Sequence, residues 1–126
     1  MPKGAYVVVD IGKTLSKITL WSSEGQILDR QTRPNELRIV DGVRRLDADG
    51  IGGWLPEALK AYAGHPIKTI IPVAHGAAFV ALNENGPLFP PLDYEQPIPA
   101  AQMGAYRDER DSFSRSEEHT SELQSH

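Results

Sequence analysis

The stretch Y-V-V-V-D-I-G-K-T, residues 6–14, decides how the rest of the chain is interpreted. Its three consecutive valines, residues 7–9, are apolar and β-branched, which predicts a strand buried on both faces. Asp10 follows at the carboxyl end of that strand, where its carboxylate is held rigidly. Gly12 then allows the backbone to turn tightly and to come close to a ligand. This order of residue types favours a site for a phosphate group and its metal.

The turn after the strand supplies the donors that such a site needs. The amides of Gly12, Lys13 and Thr14 can point at phosphate oxygens, and the lysine ammonium and threonine hydroxyl add two further donors. Asp10 would bind Mg²⁺ directly or through water, because Mg²⁺ prefers one or two carboxylates together with waters and phosphate oxygens. Taken alone, the motif is equally typical of an Asp-Gly turn that closes a hairpin.

The residues after the turn predict two more strands. Residues 16–22 alternate, with Ile18 and Leu20 on one face, and a tight turn at Gly25 follows. A third strand is predicted over residues 26–33. The motif is therefore the first bend of a three-stranded antiparallel meander.

Helical spacing replaces the strand alternation from Asp49 onward. The apolar residues that form one helical stripe are Ile51, Trp54, Leu55, Ala58, Leu59 and Tyr62. Asp47 or Asp49 can cap this helix, and Gly64 with Pro66 ends it. Pro56 fits near a helix start and would otherwise kink the helix.

Two apolar segments after the helix predict further strands, over residues 67–74 and 77–82, and the second reaches a turn at Gly86. A short helix is predicted over residues 100–110. Three antiparallel strands, a crossover helix and a strand parallel to the first form the opening of the α/β, ribonuclease H-like fold. This fold is shared by actin-like sugar kinases and by some nucleases.

A nuclease of this fold is the remote alternative. Such an enzyme needs several carboxylates that converge on Asp10 to hold two metals. The strand over residues 67–74 is followed by His75 and no acid, and the helix offers only Glu57 beyond its first turn. The formal net charge is −4, without a basic stripe, so no nucleic-acid partner is expected.

Several motifs, taken in order, resemble the N-terminal part of FGGY carbohydrate kinases, and the rhamnulokinase and fuculokinase-like branch is most similar. The motifs are Asp10-Ile11-Gly12-Lys13-Thr14, Ser16-Lys17, Leu46-Asp47, Ile70-Ile71-Pro72-Val73-Ala74-His75-Gly76-Ala77 and Pro91-Leu92-Asp93-Tyr94-Glu95. The resemblance implies transfer of the γ-phosphoryl group of MgATP to a sugar hydroxyl, in a cleft between two actin-like domains. The partner it implies is a small-molecule sugar, and a homo-oligomer is open for the full-length protein.

The resemblance also implies roles for residues near the nucleotide. Asp10 matches the metal-associated acid of the family. The residues that match its phosphate-binding positions are Gly12, Lys13, Thr14 and Lys17. In the alternative interpretation, the two lysines are solvated side chains of the meander.

Two residues match positions that contact the sugar. His75 matches the histidine of a His-Gly pair, and its ring can donate to a hydroxyl. Asp93 falls near the place of sugar-binding acids, although the pattern around it differs. The alternative is that both are ordinary loop residues. The catalytic base of the family is an aspartate that would lie beyond position 126.

The last twelve residues, R-S-E-E-H-T-S-E-L-Q-S-H, are polar throughout and read as the translation of a common sequencing adapter. We therefore expect residues 1–114 to be the truncated N-terminal part of kinase domain I, and residues 115–126 to be an adapter tail. Such a fragment is expected to be inactive alone. Two alternatives remain open: a non-catalytic phosphate- or nucleotide-binding module, and an artefactual truncated reading frame.

Composition narrows the remaining possibilities. The chain contains no cysteine, which excludes disulfides and cysteine metal sites and favours a cytoplasmic location. No apolar run approaches the ~20 residues that span a bilayer, so no membrane partner is expected.

Overall fold

The computed structural model describes residues 3–76 and 78–110. The chain divides into two units, Met1–Gln96 and Pro97–His126. The elements in chain order are β1 (Ala5–Ile11), β2 (Leu15–Ser22), β3 (Ile27–Pro34), β4 (Arg38–Val40), β5 (Val43–Arg45), α1 (Ala48–Lys60), β6 (Ile67–Ala74), β7 (Leu82–Asn83), β8 (Gly86–Pro87) and α2 (Ala100–Glu109). The second unit contributes α2, as the sequence predicted.

A four-stranded sheet in the order β3-β2-β1-β6 forms the centre of the first unit. β1 pairs with β2, and β2 with β3, in antiparallel fashion, whereas β1 and β6 are parallel. The predicted meander, crossover helix and parallel strand are therefore confirmed. Parallel neighbours need a crossover connection, and α1 supplies it.

One face of this sheet carries the core. The fully buried apolar side chains are Ala5, Val7, Val9, Ile18 and Leu20 of the sheet, with Ala58 and Tyr62 on the helical side. The prediction that β1 is buried on both faces was wrong. Tyr6, whose side chain points to the other face, is 37% exposed, because α1 packs on the face of Val7 and Val9 only.

Asp47 fixes the beginning of α1. Its Oδ1 accepts a hydrogen bond from the amide of Gly50 at 3.0 Å, which confirms one of the two predicted caps. Its Oδ2 accepts from Arg33 Nη2 at 2.8 Å, and this bond lowers the pKa of Asp47. Pro56 lies inside α1 rather than at its start, and the helix continues through it to Lys60.

The sequence analysis missed the β4–β5 hairpin. Its turn is Asp41-Gly42, where both residues have positive φ, 52° and 74°. Asp-Gly between two short strands is a strong hairpin signal, because the favoured two-residue turns need positive φ. The signal was therefore present in the sequence.

The strand predicted over residues 77–82 was wrong. Residue 77 lies outside the described residues, and residues 78–81 form no regular structure. Phe79, which is 82% exposed, and Val80 border a cavity instead of pairing with the sheet. Only Leu82–Asn83 is extended, and it pairs with Gly86–Pro87 across the predicted turn.

β6 has the predicted bounds but forms an exposed edge of the sheet. Ile70 is 50% exposed, Ile71 43% and Val73 46%. The amide of His75 donates to the carbonyl of Ile11 in β1. The backbone N–H groups of alternate residues in a strand point to opposite sides of that strand. Pro72, which has no N–H, therefore faces the open edge, where it interrupts the row of donors. No helix among the described residues is long and apolar enough to cross a membrane.

We predict that the 126-residue chain self-associates through β6 as its concentration rises, because an exposed apolar edge is a template for strand pairing. Sedimentation velocity across a concentration series should show less association for Ile71→Lys than for the unmodified chain. Ile39→Lys is the matched control, since Ile39 is 66% exposed on β4. Equal association of both variants, or a monomer at every concentration, would contradict the prediction.

Candidate functional site

The turn between β1 and β2 closes at Gly12. Its amide donates to the Leu15 carbonyl at 2.9 Å, and a Cβ at Gly12 would lie 3.0 Å from that same oxygen. A side chain here would press on the backbone of the turn, which is why glycine fits. The amide of Gly12 is thus engaged within the hairpin and is not a free donor to a ligand in this structure.

Asn35, which the sequence analysis missed, holds the turn from outside. Its amide donates to the Thr14 carbonyl at 2.9 Å, and its side-chain Nδ2 donates to the Gly12 carbonyl at 2.8 Å. Ser16 Oγ in turn donates to Asn35 Oδ1 at 2.8 Å. The turn therefore keeps one conformation, with Thr14 exposed at its tip.

Asp10 and Lys17 face each other on neighbouring strands. They are cross-strand partners, and Lys17 Nζ lies 4.0 Å from Asp10 Oδ2. Both side chains are partly exposed, on the face of the sheet opposite α1. Among the described residues, no group of three or more His, Cys, Asp and Glu side chains could hold a metal. A lone, accessible carboxylate fits Mg²⁺ that is otherwise held by waters and phosphate oxygens.

Lys13 points away from Asp10 and Lys17 and towards the acidic turn, residues 93–96. Its Nζ lies 2.6 Å from Glu95 Oε1 and 3.6 Å from Asp93 Oδ1. It also stands 4.5 Å from the centre of the Tyr94 ring. The hydrogen bond to Glu95 raises the pKa of Lys13 above its ordinary value, against the opposing effect of desolvation.

Asp93 is the buried member of this group, at 1% exposure. Arg44 Nε donates to its Oδ2 at 3.0 Å. Burial by itself raises the pKa of Asp93, but the hydrogen bond from Arg44 and the charges of Arg44 and Lys13 outweigh burial, so the pKa is lowered. Arg44 lies on the β4–β5 hairpin, which is why the sequence analysis did not connect it with the site.

The ring of His75 contacts the ring of Tyr94, which also lies next to Lys13. The two rings are 5.8 Å apart between centroids, at 59°. His75 Nδ1 and Asp93 Oδ1 are both buried, and neither has a hydrogen-bond partner within residues 3–76 and 78–110, although Asp93 Oδ1 has the ion-pair contact with Lys13. A buried polar atom without a partner is costly, so each is suited to a polar group of a ligand.

A cavity of about 320 Å³ lies at the carboxyl ends of β1 and β6. Lys13 and His75 line it, together with the start of α1 and the apolar side chains of Ile11, Leu46, Ile51 and Phe79. Asp10 and Lys17 do not. The structure thus brings Lys13, His75 and Asp93 together and places Asp10 with Lys17 on the other face of the sheet. The ligands predicted for these residues stay predictions.

Comparison with solved structures finds similarity to carbohydrate kinases. It superposes on a carbohydrate kinase from Novosphingobium aromaticivorans with a TM-score of 0.83 and 53% identity, over 90% of this chain and 24% of that one. Two more distant matches show the fold alone: a xylulose kinase from Rhodospirillum rubrum and a Plasmodium falciparum glycerol kinase with ADP. Their TM-scores are 0.66 and 0.61, at 21% and 11% identity, over 87% and 86% of this chain and 24% of each of theirs.

These matches confirm the resemblance to carbohydrate kinases and the actin-like, ribonuclease H-like fold that the sequence predicted. The chain spans about a quarter of the length of the solved structures it matches. Neither a protein-family profile nor a curated protein sequence matches it.

We predict that Asp93→Asn lowers the free energy of unfolding by about 2 kcal/mol at pH 7, because it leaves Arg44 and Lys13 without their buried counter-charge. Glu95→Gln is the matched control and should cost less than about 1 kcal/mol, since Glu95 is exposed. Urea unfolding measures both.

The Asp93→Asn variant also tests how the stability of the chain depends on pH. The pKa of Asp93 is lower in the folded chain, so its contribution is complete above its unfolded pKa of about 3.9 and is lost as the pH falls below that value. The difference in stability between the unmodified chain and Asp93→Asn should shrink from pH 6 to about pH 3. A constant difference over that range would contradict an ionised, paired Asp93.

Proposed function

We propose that this chain, which shares its fold and 53% of its aligned residues with a carbohydrate kinase, is the first part of an FGGY-type enzyme that phosphorylates a sugar with ATP. The rhamnulokinase and fuculokinase-like branch is the one its motifs favour. The single observation that carries this proposal is that identity, which extends over 90% of the chain.

In this proposal the two groups of residues serve different parts of the reaction. Asp10 would hold Mg²⁺, which supplies neutralisation of the phosphate charges when it is bound. Lys17 and Thr14 would add donors to the phosphates, and Gly12 would keep the turn tight enough for a close approach. Lys13 lies at the boundary between this group and the sugar-binding residues.

The sugar would bind at His75 and Asp93. A sugar hydroxyl both donates and accepts hydrogen bonds, so one hydroxyl could donate to Asp93 Oδ1 and a neighbouring one could satisfy His75 Nδ1. The support is that neither buried atom has a hydrogen-bond partner among the described residues, although Lys13 Nζ lies 3.6 Å from Asp93 Oδ1. A polar group of a ligand there would remove the cost of burying them.

We further propose that residues 1–114 are the truncated first part of kinase domain I and that residues 115–126 are an adapter-derived tail. The catalytic base and the adenosine pocket would then lie in polypeptide that this chain lacks. The protein would act in the cytoplasm on a small sugar. A phosphate- or nucleotide-binding module without catalysis is the second candidate, and the proposed position of the base outside this chain allows it.

We predict that activity depends on the length of the chain. The 126-residue chain should release no ADP from MgATP in a sugar-dependent coupled assay, because in this proposal the base lies outside it. Sequencing the gene past Ser114 should give a continuous frame several times longer, and its product should show sugar-dependent ADP release. Turnover by the 126-residue chain, or a stop codon directly after Ser114, would contradict the proposal.

We predict that Asp10→Asn weakens binding of MgADP to the 126-residue chain about tenfold, because it removes the carboxylate that holds the metal. The affinity for ADP in EDTA should not change. Asp41→Asn is the matched control, since Asp41 lies in the exposed β4–β5 turn. Titration followed by the amide signals of Lys13 and Thr14 measures the affinity. Equal MgADP affinity for both variants would remove Asp10 from the site.

A further inference from the structure

The Asp93 and Glu95 side chains, which both contact Lys13, differ in how firmly the protein holds them. Asp93 is fixed on both sides: its amide donates to the Arg44 carbonyl at 3.1 Å, and its own carbonyl accepts from the amide of Gln96 at 2.9 Å. The side chain of Gln96 accepts from the amide of Arg44 at 2.8 Å. The backbone of the acidic turn, residues 93–96, is thus attached to β5.

The Glu95 side chain, in contrast, is 57% exposed, and its ion-pair partners among the described residues are Lys13 at 2.6 Å and Arg44 Nη2 at 3.9 Å. The hydrogen bonds that attach residues 93–96 to β5 do not involve this side chain. Glu95 can therefore rotate into water while the turn and Asp93 stay in place.

A carboxylate on a lysine ammonium has the same chemistry as a phosphate oxygen on that ammonium. Lys13 is only 18% exposed, and Glu95 takes its shortest contact. A phosphate that approaches Lys13 therefore competes with the Glu95 carboxylate for the ammonium. Asp93 cannot be displaced in the same way, because it is buried and hydrogen-bonded to Arg44.

We propose that Glu95 is an internal competitor for phosphate: its carboxylate occupies Lys13 in the unliganded chain and is released when an anionic ligand binds. The inference rests on the proposed function, since it concerns the same lysine. Asp93 and Arg44 serve as positioning residues, because they keep the turn and Lys13 in place in both states. Glu95 thereby lowers the affinity of the site for anions and makes binding depend on ionic strength.

The expected size of the effect follows from the exposure of Glu95. An ion pair with one exposed partner is partly screened by water, so removing the competitor should tighten anion binding about threefold. The gain should disappear in high salt, where charges near the surface are screened over a few ångströms.

The test compares Glu95→Gln with the unmodified 126-residue chain, using inorganic pyrophosphate as the probe in isothermal titration at about 25 mM salt and again at about 500 mM. Glu57→Gln is the matched control: Glu57 is an exposed acid paired with Lys60 at 2.9 Å on α1, and its loss changes the net charge equally. We expect about threefold tighter binding for Glu95→Gln at low salt, no gain at high salt, and no change for Glu57→Gln.

Each other outcome overturns a stated claim. Equal affinity of the unmodified chain and Glu95→Gln, or weaker binding by the variant, overturns the competition at Lys13 and leaves the proposed function intact. A gain of the same size in Glu57→Gln also overturns it, because the effect would then come from net charge alone. Absence of pyrophosphate binding by every chain overturns both the proposed role of Lys13 as a phosphate-binding residue and the competition.

Discussion

The parallel pairing of β1 with β6 is the constraint on which the rest of the structure depends. It places Ile11 opposite Ala74, so the turn after β1 and the loop after β6 leave the sheet at the same edge. Parallel neighbours require a crossover, and α1 provides it by covering Val7 and Val9. The apolar stripe of the helix and the buried face of the strand therefore depend on each other, because each covers the other. The cavity forms where this edge meets the start of α1.

Two acids paired with arginines attach the irregular segments to this frame. Asp47 joins the start of α1 to Arg33 of β3, and Asp93 joins the acidic turn to Arg44 of β5. Both acids are buried and both have lowered pKa values, because each retains a counter-charge where water is excluded. The site thus combines residues that are far apart in sequence, and Lys13 of the first turn contacts the acidic turn.

The sequence predicted those features that depend on local periodicity. The bounds of β6 and the Asp47 cap follow from runs of residue types, as do the strands of the meander. Periodicity could not show which charges meet: the contact of Lys13 with Glu95 depends on the path of the chain between them. The strand predicted over residues 77–82 was wrong because a short apolar run does not by itself determine whether the segment pairs with a sheet. The Asp41-Gly42 turn has a clear hairpin signal in the sequence, but the β4–β5 hairpin was not predicted from it.

β1, β6 and the acidic turn converge, so that His75 and Lys13 both contact Tyr94. Nuclear Overhauser effects in the labelled 126-residue chain report this convergence. We predict cross-peaks from the Tyr94 ring to the His75 ring and to the terminal methylene of Lys13, in a sample that also shows contacts between β1 and β6. A sample with the β1–β6 contacts and no cross-peak from Tyr94 to either side chain would contradict it.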